Sequence, residues 1–428
     1  MKRKWIIAGA VVLVVAGALP WGVGYLTEYQ WQQATTEVND AQPFMHMETS
    51  DYRRGILGSD IQVAVVIANP ETGDTHRYRL HADVDHGVTG SLIHLRPVDG
   101  WSPKDANWFA GKEPKLTLET RVWGTATLTF DVPATRIRNP ESGESVTLSP
   151  GSAKLEFSDQ GQEVHAFAQV SDVTLKSADA ELRFSGVHLQ QIMEHLSGEV
   201  WTGNGELNLA SMSLRPKNGA SVSLKGLRIA SSSESRDDGA RLDSQMDVNL
   251  QSVSSEAGTY GPHRLVVALK DLDVASWDVF TSGLSNLQEV SQSDAGVPDM
   301  EQQMAAIQQM NDALRNLAAA GFEFAIPKLS IATPEGEVKG HLSVRHPELS
   351  GDDRSGMLLV MQRLTGNLHF GLPLSLVENY PEIRMQAAPL IKQGLLVEKG
   401  ERLVMDATLN DMVVKVNKDV EVPLPPVL

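Results

Sequence analysis

Residues 116–132 read Leu-Thr-Leu-Glu-Thr-Arg-Val-Trp-Gly-Thr-Ala-Thr-Leu-Thr-Phe-Asp-Val, and this stretch decides the fold class. Even positions carry Leu116, Leu118, Thr120, Val122, Gly124, Ala126, Leu128, Phe130 and Val132. Odd positions carry Thr117, Glu119, Arg121, Trp123, Thr125, Thr127, Thr129 and Asp131. Successive side chains of a strand point to opposite faces, so a period of two predicts strand with one buried and one wet face. Leu242, Met246, Val248 and Leu250 repeat it against Asp243, Gln245, Asp247 and Asn249. Sheets wet on one face are usually antiparallel. The expected fold is mainly β, a long antiparallel sheet or repeated β-hairpin body with a few helices.

A second regularity places apolar residues at i, i+2, i+5 and i+7. It occurs at Ala168-Val170-Val173-Leu175, Leu182-Phe184-Val187-Leu189 and Val222-Leu224-Leu227-Ile229. Looser versions are Leu207-Leu209-Met212-Leu214, Val267-Leu269-Leu272-Val274, Phe324-Ile326-Leu329-Ile331 and Ala407-Leu409-Met412-Val414. The middle pair is turn-like in Ser171-Asp172, Ser185-Gly186, Lys225-Gly226, Lys270-Asp271 and Asn410-Asp411. Alternation fails across that pair, which calls for a bulge or bend there. No fixed period runs the whole chain, so a regular solenoid is not established.

Helical signals are few. Residues 300–320 follow Pro298 and Asp299 and end before Gly321. Met300, Met304, Ile307, Met310, Leu314 and Leu317 form one stripe there, suited to core packing or to an apolar groove. Shorter candidates are 189–196, 274–290 and 381–395. The polar run 291–297 marks a boundary. The expected organisation is an anchor over 1–30, a β-rich region over 31–290, an amphipathic helix region over 291–320 and a C-terminal β-rich region over 321–428.

From Trp5 to Leu26 the chain has no charged residue. A helix of that length rises about 33 Å, enough for a hydrocarbon core of about 30 Å. Lys2, Arg3 and Lys4 flank its start and Glu28 follows its end, which leaves the N-terminus in the cytoplasm and the body in the periplasm. Trp5 at the inner end, and Trp21, Tyr25 and Trp31 at the outer end, suit the membrane interfaces. The competing reading is a cleaved signal peptide cut at Ala16-Gly17-Ala18; continued apolar character and Pro20 weigh against it. Both readings export the body.

The 37 basic residues include Lys2, Arg3 and Lys4, so the rest of the chain is more negative than the overall charge of -17. Such a body repels phosphate backbones, and nucleic acid is not an expected partner. With 41% hydrophobic residues there is material for a core. The absence of cysteine removes disulfides, thiolate metal sites and cysteine nucleophiles.

No Gly-rich phosphate loop, His-Glu-x-x-His or Gly-x-Ser-x-Gly occurs. His76, His81 and His86 are spaced by five in a strand-and-turn region, where such spacing alternates faces; hydrogen-bonded or solvated histidines are expected rather than zinc ligands. Asp352 and Asp353 read as loop residues. No catalytic residue, cofactor or metal is expected.

The run Tyr52-Arg53-Arg54-Gly55-Ile56-Leu57-Gly58-Ser59 carries a Tyr-x-Arg-Gly element. Asp85-His86-Gly87 follows downstream, with Val88 where a proline would complete a His-Gly-Pro turn. Leu329, Ile331, Thr333, Pro334 and Gly336, and the segment closing at Val416-Asn417, complete the set. Together these resemble the YdgA-like family of bacterial envelope proteins of unassigned function. The resemblance implies a single-span inner-membrane protein of Gram-negative type with no assigned catalytic residues. Gly55 and Gly87 suit positive φ, and Tyr52 and Arg54 suit anchoring of a first strand; these four, with His86, are expected to be structural.

The functional expectation is a non-enzymatic envelope scaffold or interaction protein with the inner membrane, and envelope proteins or lipid, as partners. The alternative is a carrier of lipid or other apolar molecules in a β-lined groove. A third reading, an envelope hydrolase, needs His76, His81 or His86 clustered with Asp83 or Asp85 in a cleft.

Overall fold

The computed structural model describes residues 2–41, 45–69, 74–103, 106–256, 258–292, 300–349, 362–417 and 420–423. In the first helix, side chains are described from Leu19 onward, so those of Lys2, Arg3, Lys4 and Trp5 lie outside the described part, as does that of Met300. Two compact units are present. The first is residues 1–177; the second runs from 178 to 428, except that 190–192 and 291–296 group with the first.

The first unit begins with helix α1 (Lys2–Ala41), followed by β1 (Met45–Arg54), β2 (Gly58–Ala68), β3 (Thr75–His86), β4 (Gly90–Pro97), β5 (Lys115–Arg121) and β6 (Ala126–Val132). These six strands form an antiparallel meander, each paired with the next. Then come β7 (Thr135–Arg138), β8 (Ser145–Leu148), β9 (Gly151–Ser158) and β10 (Glu163–Lys176). β6 pairs with β9 and β7 with β8, so the two pairs make one long hairpin. Its strands break at Pro133 and Pro150, which face each other and lack the N–H a ladder requires. β10 lies along both β9 and β8, changing partner between Val170 and Val173 where its apolar pattern skips.

The stretch 116–132 is therefore a hairpin rather than one strand. Leu116 pairs with Phe130, Leu118 with Leu128 and Thr120 with Ala126. Even residues meet even residues across this register and share a face, so the alternation passes through the turn unbroken.

The core of the first unit lies between α1 and the meander, where Trp31 packs with Ile61, Val63, Ala82, Val84, Ile93 and Leu95. Along α1, Pro20, Val23, Gly24, Thr27 and Trp31 are buried at the three-to-four spacing of one helix face. This corrects the expectation that Trp31 marks a membrane interface: the residue is 7% exposed and packs in the sheet core. Trp21 and Tyr25, on the other face, are exposed. Among the described residues no helix is long and apolar enough to cross a membrane; the stretch 5–18 lies outside that comparison.

The second unit opens with four long strands, β11 (Ala180–Ser197), β12 (Val200–Pro216), β13 (Val222–Arg236) and β14 (Arg241–Ser255), then β15 (Gly258–Tyr260) and β16 (His263–Asp273). Helices α2 (Val274–Gln292) and α3 (Met300–Ala319) follow, then β17 (Phe322–Thr333), β18 (Gly336–His346) and β19 (Thr365–Pro373). Helices α4 (Leu374–Asn379) and α5 (Pro381–Lys392) precede β20 (Val397–Lys399), β21 (Arg402–Asn410), β22 (Val413–Val416) and β23 (Val420–Pro423). The expected helix at 189–196 is part of β11; eight residues are too few to sustain a helix alone, and the strand continues through them.

The irregular apolar spacing has a structural counterpart. Gly186, Gly226 and Asp271 have φ of 65°, 63° and 61°, each within a strand at the predicted break. A Cβ on Gly186 would meet Ala210 Cβ at 2.7 Å, and one on Gly226 would meet Gln251 Cβ at 2.8 Å, so the breaks of neighbouring strands line up as a crease. In β17 the break is a bulge at Pro327. At Asn410-Asp411 it is a hairpin turn, with Leu409 opposite Val414.

Cross-strand apolar rows follow this register. Leu207, Ile229, Val248, Leu265 and Leu329 stand opposite one another in turn, as do Leu209, Leu227 and Leu250. Within β11–β13 the only fully buried side chain is Val200; the apolar residues of these rows are half-buried. Closed cores form elsewhere in the unit, around Val200, Leu242, Leu272 and Val274, and around Leu372, Leu376, Ala387, Leu396 and Leu403 beneath α4 and α5.

Candidate functional site

The loops of β1–β2, β3–β4 and β5–β6 share one end of the meander, as alternate hairpins of an antiparallel sheet must. Two are built alike. Gly55 N–H donates to the Gly58 carbonyl and Gly87 N–H to the Gly90 carbonyl, both at 2.8 Å. They are tied together: His86 N–H donates to the Leu57 carbonyl at 2.8 Å, and Val122 N–H to the Thr89 carbonyl at 3.0 Å. Neither Gly55 nor Gly87 has positive φ, contrary to expectation. Close backbone approach requires them: a Cβ would stand 2.8 Å from Gly58 O in the first case and 3.1 Å from Gly90 O in the second.

His86, the last residue of β3, points under α1. Its Nε2 lies 2.7 Å from Ser59 Oγ and its Nδ1 lies 2.8 Å from Ser91 Oγ. Ser91 Oγ is 2.8 Å from Thr27 Oγ1, which donates to the Val23 carbonyl within α1. Thr27 has spent its proton, so Ser91 donates to Thr27 and accepts from His86, which places the ring proton on Nδ1. Burial, reinforced by the Arg54 charge, lowers the pKa of His86 and keeps the ring neutral, leaving Nε2 to accept from Ser59. All four side chains are buried. Gly24 lets the helix close over the ring, for a Cβ there would come within 2.8 Å of Nε2. A serine hydroxyl on a neutral imidazole is chemically a base-assisted alcohol. Here the docked helix covers it, and the four groups work as a clasp between α1 and the sheet.

Arg54 closes the clasp from outside. It pairs with Glu28 of α1 at 2.8 Å, and its guanidinium lies 4.9 Å from the Tyr25 ring centre and 5.9 Å from that of Trp21. Trp31 Nε1 donates to Thr49 Oγ1 at 2.9 Å further along. Tyr52 packs against the core, and burial raises its phenol pKa. The motif residues Tyr52, Arg54, Gly55, His86 and Gly87 thus meet at one end of the sheet, with Trp21, Tyr25 and Trp31 of the helix. The sequence does not reveal Thr27, Ser59, Ser91 or Gly24 as their partners, because hydroxyl residues and glycines are common throughout the chain.

The three histidines do not gather. His86 faces α1, while His81 and Asp83 lie on the other face of β3, and His76 is exposed. His81 Nε2 is 3.0 Å from Asp83 Oδ1 and 3.3 Å from Asp60 Oδ2, so these three could hold an ion. Burial opposes ionisation of Asp83, but His81 and Arg96 outweigh it and hold the carboxyl below its ordinary pKa. Arg96 thereby occupies one of the carboxylates, and the side chains of His81, Asp60 and Asp83 are between 32% and 44% exposed.

On α3, Met304 (66%), Ile307 (47%) and Leu314 (39%) are exposed, whereas Leu317 packs on the core around Val200 and Leu242. Met310 is partly buried. A cavity of about 440 Å³ opens beside the C-terminal end of α3, lined by Arg241, Asp273, Ser276, Asn316 and Glu348. Arg241 is committed there to the Ala320 and Asp271 carbonyls and to Glu348.

Residues 1–423 match the family model described as a bacterial protein of unknown function, DUF945. The chain belongs to this family. It is also 21% identical over 311 residues to Protein YdgA of Escherichia coli (strain K12), covering 66% of this chain and 62% of the relative, so the match spans less than two thirds of the relative's length. No solved structure matches the chain. The family match includes both the clasp and the creased strands of the second unit, and the resemblance drawn from Tyr52–Gly55 and His86–Gly87 agrees with it.

Proposed function

We propose that the chain is a single-span inner-membrane protein with its body in the periplasm, acting as an envelope scaffold or interaction protein rather than through chemistry. The observation that supports this most is the continuity of α1. One helix carries the basic and uncharged N-terminal residues and then, from Pro20 to Trp31, packs onto the sheet. The clasp of Gly24, Thr27, Ser59, His86 and Ser91 fixes the sheet of the first unit to that helix. Such coupling serves a protein that must hold its body at a defined place beside a membrane. A deletion strain is expected to show altered permeability, morphology or motility, restored by the intact gene; a strain indistinguishable from its parent in all three contradicts the proposal.

A second reading, a carrier of lipid or other apolar molecules, is favoured by the half-buried rows of the second unit. Leu207, Ile229, Val248 and Leu265 align across four strands without full burial. Apolar side chains left partly wet in a continuous row offer a binding face. Native mass spectrometry of protein extracted in mild detergent is expected to show retained lipid under this reading, and lipid-free protein tells against it.

A further inference from the structure

The hairpin end that holds the clasp also carries a row of exposed apolar side chains. Ile56 and Leu57 tip the β1–β2 loop, Val88 the β3–β4 loop, and Val122 and Trp123 the β5–β6 loop; all five are between 43% and 68% exposed. Hydrogen bonds between the loops hold these tips as one edge. Between β2 and β3 the sequence reads Asn-Pro-Glu-Thr-Gly-Asp over 69–74, with no apolar residue but proline; residues 70–73 lie outside the described part. Exposed apolar side chains at that end, Ile67 in β2, Tyr78 in β3 and Val98 just after β4, lie on or beside strands rather than on hairpin tips bonded to one another.

The direction of α1 says what faces the apolar edge. Asn39 bonds to Met47 at the start of β1, Trp31 to Thr49, and Glu28 to Arg54 at the end of β1. The helix therefore runs toward its N-terminus in the direction of the three tips and continues past them to Lys2. Its uncharged residues ahead of the sheet contact, 5–19, span only about 22 Å, less than the ~30 Å of a hydrocarbon core. No spacer separates that segment from the sheet, so crossing the bilayer draws the hairpin edge into the headgroup layer.

We infer that the edge formed by Ile56, Leu57, Val88, Val122 and Trp123 is seated in the interfacial layer of the bilayer that α1 enters. This rests on the anchor reading above. The exposed aromatics Trp21, Tyr25 and Trp123 suit that layer, where amphipathic rings sit at headgroup level. The nearby cations are already paired, Arg53 with Asp51, Arg54 with Glu28 and Arg121 with Glu119. Apolar insertion, not attraction to anionic headgroups, is the contact.

The chain has no cysteine, so one introduced cysteine gives one labelling site. Full-length Leu57→Cys, Val88→Cys and Trp123→Cys, and Asp99→Cys at the opposite end as reference, are labelled with an environment-sensitive fluorophore. They are then reconstituted in phosphatidylethanolamine–phosphatidylglycerol liposomes. Spin-labelled lipid is expected to quench the three tips severalfold more than residue 99, with blue-shifted emission at the tips. Equal quenching at all four sites, in protein that floats with the liposomes, overturns the inference and leaves the anchor standing. Protein that does not float overturns both.

Discussion

Gly22 and Gly24 lie two residues apart in one helix and differ in what a methyl group would meet. Nothing lies within 4 Å of a Cβ on Gly22, whereas His86 Nε2 stands 2.8 Å from one on Gly24. Alanine is favoured over glycine in a helix by about 1 kcal/mol, so Gly22→Ala is expected to raise stability by up to that amount. In Gly24→Ala the methyl meets a ring held between Ser59 and Ser91, and a net loss of about 1–3 kcal/mol is expected. Urea titrations of the two variants check the opposite signs; a higher midpoint for Gly24→Ala shows that the clasp yields. The lowered pKa of His86 has its own consequence. As pH falls through the ordinary histidine value of about 6.5, the unfolded chain takes up a proton that the folded ring resists. Stability is therefore full above that pH and declines below it until the folded ring protonates too. Denaturation midpoints across that range should decline with acid in the natural protein and lose this component in His86→Gln; an unchanged profile contradicts a neutral, buried ring. At this scale the sequence is a partial guide. Trp31 has the composition of an interfacial aromatic and the location of a core one, and only its spacing from Pro20, Gly24 and Thr27 separates the two. Gly55 and Gly87 are recognisable as special, but a close carbonyl and a positive φ leave the same residue type.

At the scale of elements, helix α1 is held by one deep contact and several shallow ones. Trp31 fills the core with Ile61 and Ile93 and bonds to Thr49, so Trp31→Ala is expected to cost about 3–5 kcal/mol. Arg54→Ala removes an ion pair about a quarter exposed and a stack on Tyr25, and is expected to cost no more than about 1–2 kcal/mol. A reversed order in chemical denaturation places the hold on α1 in the Arg54 contacts instead. In the creased strands, Gly226→Ala combines a φ of 63° with a contact at 2.8 Å and should lose about 1–3 kcal/mol in the same assay. Most elements are legible as strands because alternation is a local property. What it does not supply is where a strand turns. The register of β5 and β6 pairs even residues with even, so residues 116–132 keep one parity across a hairpin. The broken spacing at Gly186, Gly226 and Asp271 is more telling, since a skipped parity leaves few backbone solutions. Residues 189–196 show the converse failure, a helical spacing inside a long strand whose length decides the matter.

Over the whole molecule, composition and the N-terminal charge pattern speak to compartment, and the family match to relatives, while the division into two units is not marked in the sequence. The same alternating patterns run through residue 177 on both sides, so no change of composition announces the boundary. The stripe on α3 is legible as a stripe, but the exposure of Met304, Ile307 and Leu314 is a matter of what packs against the helix. The clasp, the loop edge and the continuous α1 all acquire a purpose if the basic end of the helix stays in the cytoplasm and the sheets lie beyond the membrane. The most direct measurement uses a single cysteine at the exposed Ser232 of β13 in the full-length chain, probed in intact spheroplasts with a membrane-impermeant thiol reagent. Labelling before lysis, equal to that after lysis, is the predicted result. Labelling that appears only once the inner membrane is broken places the body in the cytoplasm and contradicts the account.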